Sequence, residues 1–179
     1  MGSCCTKKRE DTKYERTQAF SADGYIIDQR FTTDYPYGRF DSSYNGCGWI
    51  AAFNLIKSLG HNVTAEEINQ EMASILPHHG MYGTTRKLLM EYLTTKSISF
   101  KLVQGKNKII KETKGSRAGI LRYIDDERTP HLVAFLRAGE KQFRFFNSIE
   151  GESSDFIAFE DFFEGRVFSP STYALVVEE

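Results

Sequence analysis

The chain has 179 residues, a length typical of a single domain. Hydrophobic residues make up 40% and charged residues 26% of it, which is enough to bury a core and excludes wholesale disorder. The 23 Lys and Arg residues nearly balance the 24 Asp and Glu residues, so no nucleic-acid partner is expected. The longest apolar runs, such as 132–136 and 173–177, are too short for a transmembrane segment.

The segment 1–16 is interpreted as a polar leader, and one globular domain is expected over 17–179. The leader holds five basic and three acidic residues. It matches the pattern for myristoylation at Gly2, and Cys4 and Cys5 are placed for palmitoylation. Two lipids would anchor the chain to a membrane. The alternative is an unmodified start of the chain without membrane contact.

The cysteines favour a reducing compartment. Cys4 and Cys5 are adjacent in the leader, and Cys47 stands alone in the domain, so no disulfide framework is expected. The N-terminus shows no secretory pattern. We therefore expect a cytoplasmic protein, which would be membrane-associated if the leader is lipidated.

The first part of the domain is predicted to be irregular and then helical. The segment 25–44 is rich in aromatic residues, Asp and Gly and is expected to contain at most one short strand. Apolar residues at helical spacing from Gly48 predict a buried helix that ends at Gly60. A second helix, with Ile75 on its buried face, is predicted to run to about 76, and a third to follow. The capping residues that predict these two helices are Thr64 with Glu67, and Thr84 or Thr85.

After Lys96 the pattern changes to the alternation typical of strands. Strands are predicted at 99–104, 118–124, 131–137, 141–147 and 171–177, with a charged short helix or loop at 106–113 and a short helix at 156–165. The Ala-Gly-Glu sequence at 138–140 predicts a hairpin with a three-residue loop. Helices followed by an antiparallel sheet indicate an α+β fold of two packed layers.

Cys47 is the candidate nucleophile. It lies between Gly46 and Gly48 at the start of a predicted helix, where unpaired N–H groups and the helix dipole are expected to lower the pKa of a thiol. The two glycines would let a substrate backbone approach. The alternative is that Cys47 is a small buried hydrophobic residue.

His131 and Asn147 are the candidate partners of Cys47. If the hairpin loop centres on Gly139, His131 and Asn147 lie opposite each other on one sheet face. We then expect Asn147 to fix the ring of a basic His131, although each residue could instead be purely structural. Four apolar residues on that face are expected to pack against the helix that follows Cys47: Val133, Phe135, Phe143 and Phe145.

The segment Asn45 to Trp49 (NGCGW), followed much later in the chain by His131 on a predicted strand and then by Asn147, resembles the papain-like cysteine peptidase superfamily. The layout is most similar to the compact bacterial branch that contains the double-glycine leader peptidases. The resemblance implies a papain-like fold with N-terminal helices packed on a C-terminal antiparallel sheet. It also implies that Cys47 is the nucleophile, that His131 is the general base and then acid, and that Asn147 orients His131.

One position departs from the pattern of this family. The family usually places a Gln five or six residues before the nucleophile as a donor to the oxyanion, and here Ser42 and Asp41 occupy these positions. Loss of one such donor typically costs about 10²–10³ in rate. The second donor is then expected from a residue distant in sequence or from one of four nearby candidates: Asn45, Ser42, Ser43 and Asp41.

Three functions remain open from the sequence. The first is a cysteine peptidase that hydrolyses a peptide or isopeptide bond of a peptide or protein substrate. The second is an acyl or amide transferase or deamidase that uses the same triad. The third is a catalytically silent relative that binds peptides. No cofactor is expected, and no metal either, because the adjacent His78 and His79 lack partners at ligand spacing.

Overall fold

The structure, a computed structural model, describes residues 18–125, 129–148, 154–164 and 166–178. Helices come first and an antiparallel sheet follows, which confirms the predicted α+β fold class. The helices are α1 Ser42–Asn45, α2 Cys47–Ser58, α3 Ala65–Ser74, α4 Arg86–Thr95 and α5 Lys106–Thr113. The strands are β1 Pro36–Tyr37, β2 Phe40–Asp41, β3 Lys101–Gln104, β4 Ser116–Ile124, β5 Pro130–Arg137, β6 Gln142–Phe146, β7 Ser154–Ala158 and β8 Tyr173–Glu178. In the described ranges, no helix combines the length and apolarity needed to cross a membrane.

Helix α2 is the centre of the helical layer. Every residue from Gly48 to Ile56 is buried, because the segment is apolar on all sides. The Thr64 side chain accepts the Glu67 N–H at the start of α3, as the capping pattern predicts. Ile75, predicted on the buried face, is 47% exposed because α3 ends one residue earlier.

The segment before α2 contains more regular structure than the sequence predicts. A 3₁₀ turn covers Gln29–Phe31, and β1 and β2 form a small antiparallel hairpin that leads into α1. The Asn54 side chain on α2 fixes this segment, because it accepts the Ile26 N–H at 2.9 Å and donates to the Ile26 carbonyl at 2.8 Å. A fully buried amide thus satisfies two backbone groups of an irregular segment.

Six strands form one sheet in the order β3-β8-β4-β5-β6-β7, with every neighbouring pair antiparallel. The last part of the chain supplies β7, a 3₁₀ turn at Asp161–Phe163 and β8, which is an interior strand of the sheet. The short helix predicted at 156–165 is therefore wrong in extent, since its start belongs to β7.

The β5–β6 hairpin differs from its predicted register. Phe135 pairs with Phe145, and the Ala138 N–H donates to the Gln142 carbonyl, so the loop centres on Glu140 and not on Gly139. The register therefore moves by two residues, and His131 and Asn147 are not cross-strand partners. A shift of two keeps each side chain on the same sheet face, because the side-chain period of a strand is two residues.

The sheet has a core on each of its two faces. The helix-side core lies between the sheet and α2–α4, and β5 contributes Leu132 and Ala134 to it. The second, or phenylalanine, core lies on the other face and contains Val133, Phe135, Phe143, Phe145, Phe159, Phe162 and Phe163. The expectation that the first four of these pack against the helix after Cys47 is therefore wrong. Both faces of the hairpin are apolar, so hydrophobicity alone does not identify the one that meets the helix.

Gly119 on β4 provides a test of packing at the centre of the sheet. A Cβ atom here would lie 2.3 Å from the Leu175 carbonyl oxygen and 2.4 Å from the Phe135 ring. Gly119→Ala is expected to lower the free energy of unfolding by about 1–3 kcal/mol in urea denaturation, because overpacked cores must shift their backbone. Gly115→Ala is the matched control, since a Cβ at Gly115 meets nothing within 4 Å. Equal stabilities of the two variants would contradict this account of the sheet.

Candidate active site

Cys47 is the first residue of α2 and follows the short helix α1 directly. The turn between the helices is tight: the Gly46 N–H donates to the Ser42 carbonyl at 3.0 Å, and a Cβ at Gly46 would lie 2.5 Å from that oxygen. Gly46 is thus required by the close approach of two backbone segments. The turn places the half-buried Cys47 side chain at the amino end of a fully packed helix.

Gly48 is required for packing against the loop before α4. A Cβ at Gly48 would lie 2.0 Å from the Thr84 hydroxyl, and that hydroxyl hydrogen-bonds to the Tyr37 phenol at 2.8 Å. The interpretation that Gly48 leaves room for a substrate is therefore wrong, because Thr84 occupies this space. Gly48 instead lets Tyr37 and Thr84 pack close to Cys47.

Burial raises the pKa of the Cys47 thiol, and this effect outweighs the groups that lower it. The lowering groups are the backbone N–H of Leu132, the positive charge of Arg122 and the N–H groups of Gly48 and Cys47 itself. The expectation of a lowered pKa is therefore wrong. The N–H groups of the helix act on the thiol as expected, but loss of hydration dominates. At neutral pH the resting group is a thiol.

A cross-strand row lies opposite Cys47 on the helix-facing side of the sheet. Leu132 on β5 pairs with Arg122 on β4, which pairs with Tyr173 on β8. Arg122 donates to the Ser171 carbonyl at 2.9 Å and to its hydroxyl at 2.7 Å, which holds the guanidinium in the row. Burial raises the pKa of Tyr173 to about 12, so the phenol stays neutral while Arg122 brings positive charge to the thiol.

His131 lies near the start of β5, directly before the residue whose N–H contacts Cys47. Its Nε2 is 2.6 Å from the Asn147 carbonyl oxygen, and its ring meets the Tyr123 ring edge-on at 5.8 Å. A carbonyl oxygen only accepts, so the neutral ring carries its hydrogen on Nε2 and leaves Nδ1 as the basic atom. In residues 18–125 and 129–148, no hydrogen bond joins the ring to the Cys47 sulfur, because the ring packs against Tyr123 on the side of the phenylalanine core while Leu132 faces α2.

Burial lowers the pKa of His131. The Asn147 carbonyl and the negative charge of Asp125 act in the opposite direction, because both favour the protonated ring, and Arg166 adds to the lowering. The net direction favours a neutral imidazole. His131 and Cys47 are therefore both uncharged in the resting state near neutral pH.

Asn147 holds His131 through its backbone and not through its side chain. It lies just beyond β6 with φ +63°, a left-handed conformation that Asn tolerates better than most residues. Its side chain turns away from His131 to Gln29: Oδ1 accepts the Gln29 N–H at 2.8 Å, and Nδ2 donates to Gln29 Oε1 at 3.0 Å. The predicted contact between Asn147 and His131 is thus present, but with a different atom.

Gln29 is the site residue that sequence analysis missed. Its Nε2 donates to the Ser43 carbonyl at 3.1 Å, so its carboxamide lies between Asn147 and the helix that leads to Cys47. In the sequence it stands far ahead of Cys47, outside the interval in which the papain-like pattern places a Gln. Only the unusual fold of the segment before α1 brings it here, and no local motif signals this.

The four candidate oxyanion donors near Cys47 are all engaged elsewhere. Ser42 Oγ is fully buried, donates to the Tyr35 carbonyl at 2.7 Å and accepts the Trp49 indole N–H at 2.8 Å. The Asp41 carboxylate accepts both the backbone N–H and the hydroxyl of Ser43. Asn45 Nδ2 donates to the Gly80 carbonyl at 3.0 Å. The backbone N–H of Cys47 remains the donor expected at the nucleophile itself.

The lipidation candidates Gly2, Cys4 and Cys5 lie outside the described residues.

Comparison with solved structures identifies the fold. A scan against protein-family models finds no match, and no curated protein matches the sequence. The peptidase domain of Streptococcus ComA, a bifunctional ABC transporter involved in quorum sensing, is similar with a TM-score of 0.55 and 12% identity. The alignment covers 80% of this chain and 97% of that domain. A protein described as a C39-like peptidase from Bacillus anthracis is similar with a TM-score of 0.51 and 12% identity, over 88% of this chain and 96% of the other. The chain therefore has the papain-like fold of C39-like peptidase domains.

The directions of the two pKa shifts predict that stability declines at both ends of the pH range. His131 has a lowered pKa in the folded state, so below about pH 6.5 the unfolded chain binds a proton first and the free energy of unfolding falls. Cys47 has a raised pKa, so above about pH 8.5 the unfolded chain loses a proton first and stability falls again. Urea denaturation from pH 5 to 10 measures both effects.

Two substitutions separate these contributions. His131→Gln should flatten the decline on the acid side, and Cys47→Ala should flatten the decline on the alkaline side. An acid decline that persists unchanged in His131→Gln would show that other groups cause it.

Proposed function

We propose that the chain is a papain-like cysteine peptidase that hydrolyses a peptide or isopeptide bond with Cys47 as nucleophile and His131 as general base. One observation carries this proposal. Cys47 lies at the amino end of α2, where the backbone N–H of Leu132 on β5 acts to lower the pKa of its thiol, and the residue before Leu132 is a histidine whose Nε2–H is fixed on a carbonyl. The proposal assigns this histidine as the base, and it requires the ring to turn from Tyr123, which it meets edge-on, toward the sulfur.

The proposed reaction starts from a neutral thiol and a neutral imidazole. Sulfur attacks the substrate carbonyl carbon while the thiol proton moves to His131 Nδ1, which forms a tetrahedral oxyanion and an imidazolium. The imidazolium then protonates the leaving amine, and the C–N bond breaks to leave a thioester on Cys47. Water, deprotonated by His131, attacks the thioester and releases the acid and the free thiol. The Asn147 carbonyl stabilises the imidazolium by accepting from Nε2–H throughout.

Two neighbouring loops are proposed to contact the substrate. Phe40 and Tyr44 lie next to the nucleophile turn with ring centroids 4.7 Å apart, and Tyr44 is 73% exposed. Tyr82 is 76% exposed on the facing loop, which is joined to the β1–β2 hairpin by a hydrogen bond from the Arg39 N–H to the His79 carbonyl. Exposed aromatic rings beside a nucleophile favour a peptide with apolar side chains.

The second candidate function is peptide binding without cleavage. The engagement of Ser42, Ser43, Asp41 and Asn45 in other hydrogen bonds favours it, because a hydrolase needs a second donor to the oxyanion. The raised pKa of Cys47 agrees with either function, since a neutral thiol can still react when an adjacent base removes its proton.

The two functions are separated by the fate of an acyl group. The purified chain is incubated with an apolar peptide library and with an activated acyl ester, and products are followed by mass spectrometry. A peptidase acylates Cys47 and releases free acid with turnover, and Cys47→Ser reduces turnover to background. Binding of peptides with no acylation and no cleavage would support the silent relative and contradict the peptidase.

Substitutions at His131 and Asn147 test the assigned roles. His131→Ala is expected to lower kcat/KM by about 10²–10⁴, the usual contribution of a general base. Asn147→Ala should lower it by only about tenfold, because alanine keeps the backbone carbonyl that holds His131 and loses only side-chain hydrogen bonds. Asn147→Gly is the control for backbone strain, since glycine adopts φ +63° freely. A larger loss in Asn147→Ala than in His131→Ala would reverse the role assignment.

A further inference from the structure

We infer that Gln29 is a positioning residue: its carboxamide links the turn before the nucleophile to Asn147 and so fixes the carbonyl that holds His131. This inference rests on the proposed function for its meaning in catalysis, but its structural content stands on hydrogen bonds alone. It assigns a role in the active site to a segment that sequence analysis describes only as irregular.

Each polar group of Gln29 has a partner in the structure. Its backbone N–H donates to Asn147 Oδ1 at 2.8 Å, and its Oε1 accepts from Asn147 Nδ2 at 3.0 Å. Its Nε2 donates to the Ser43 carbonyl at 3.1 Å, and its own carbonyl accepts the Thr32 hydroxyl at 2.6 Å. Two of these bonds form a reciprocal pair with one side chain, so the position and the rotation of the Asn147 amide are both fixed.

The reciprocal pair matters because of the backbone conformation of Asn147. At φ +63° a residue with a side chain is less stable than in the β region, and the strand has already ended at Phe146. The two bonds to Gln29 offset this cost and hold the peptide group in one orientation. That orientation points the Asn147 carbonyl at His131 Nε2, 2.6 Å away.

The 3₁₀ turn that carries Gln29 is itself held from both ends. The Asp28 side chain accepts the Arg30 N–H at 3.0 Å and the Arg30 Nε at 2.9 Å, and the Thr32 N–H donates to the Gln29 carbonyl at 3.0 Å. Gln29 therefore presents its side chain from a fixed backbone. The chain of contacts runs from Ser43, in the helix just before Cys47, through Gln29 and Asn147 to His131.

The tautomer of His131 tests this inference without any assay of activity. Nitrogen-15 NMR of the four histidines, with His131 assigned from the spectrum of His131→Gln, distinguishes a ring protonated on Nε2 from one protonated on Nδ1. The wild-type chain is expected to show the Nε2–H tautomer alone at pH 7.5. Gln29→Ala should show a mixture of tautomers, because the Asn147 carbonyl loses its fixed orientation. An Nδ1–H wild-type ring, or a Gln29→Ala spectrum identical to wild type, would overturn the inference.

Gln29→Glu is the conservative variant. A glutamate oxygen still accepts from Asn147 Nδ2, whereas the bond to the Ser43 carbonyl is lost, since two oxygens then face each other. The variant should therefore keep the wild-type tautomer of His131. If Gln29→Glu shows the same mixture as Gln29→Ala, the bond to Asn147 is not what holds the ring, and the role assigned to Gln29 is wrong.

Asn54→Ala is the matched control. It removes two hydrogen bonds of a side-chain amide, those from Asn54 to the N–H and carbonyl of Ile26. These bonds join the same N-terminal segment to α2 and involve neither Asn147 nor His131. It should lower the thermal midpoint and leave the His131 tautomer unchanged. A change of tautomer in Asn54→Ala as large as in Gln29→Ala would mean that Gln29 affects His131 only through the general stability of the fold, and it would overturn the inference.

A second readout connects the inference to the proposed chemistry. The rate of Cys47 alkylation by iodoacetamide at pH 7.5 should fall by roughly 5- to 10-fold in Gln29→Ala, as expected for the loss of one or two partly buried hydrogen bonds. The two proposals fail separately. Absence of peptide hydrolysis together with the expected tautomers contradicts only the peptidase, whereas hydrolysis with unchanged tautomers in Gln29→Ala contradicts only the role of Gln29.

Discussion

Burial of α2 against the sheet is the constraint on which the rest of the structure depends. Its apolar side chains from Trp49 to Ile56 lie in the helix-side core, so the helix cannot rotate or slide without exposing apolar surface. This fixes Cys47, its first residue, against β5 at Leu132. The same packing removes water from the thiol and raises its pKa. Position and reactivity of the sulfur thus have one physical cause.

Two side-chain amides join the irregular N-terminal segment to this framework. Asn54 binds both backbone groups of Ile26 from within α2, and Asn147 binds the backbone N–H and side chain of Gln29 from the end of β6. An amide can donate and accept at once, so it satisfies a segment that has no strand or helix partner of its own. The segment is held against both layers of the fold, although it contains only short elements. This explains how a region without a clear sequence pattern lies beside His131.

The sequence predicts the helices and strands well because their signals are local. Capping at Thr64 and the apolar runs of α2 and β5 each depend on neighbouring residues only. The register of the hairpin depends on which residue lies at the centre of its loop, and the segment 138–141 allows either Gly139 or Glu140 there. The sheet face that meets α2 depends on packing between distant segments, and both faces are apolar.

The site follows the same division between local and long-range information. Cys47 and His131 are marked by flanking residues and spacing, whereas Gln29 is marked by nothing local. The use of the Asn147 backbone carbonyl is equally hidden, since it follows from a left-handed φ after the strand ends. The sequence predicts the pKa of Cys47 in the wrong direction because it shows the helix dipole but not the loss of hydration.

A neutral thiol and a neutral imidazole place a requirement on the proposed reaction. A thiolate formed in advance would be a charge in a partly desolvated site, so the proposed proton transfer to His131 Nδ1 must coincide with formation of the carbon–sulfur bond. Negative charge then passes from sulfur to the substrate oxygen. Arg122 and the N–H groups of Leu132, Gly48 and Cys47 already lie around the sulfur, and their dipoles need no reorganisation as that charge develops. Burial that weakens the resting nucleophile also strengthens these interactions, because an electrostatic interaction grows as the local dielectric falls. The raised thiol pKa is therefore compatible with catalysis, provided that His131 keeps Nδ1 free of its proton.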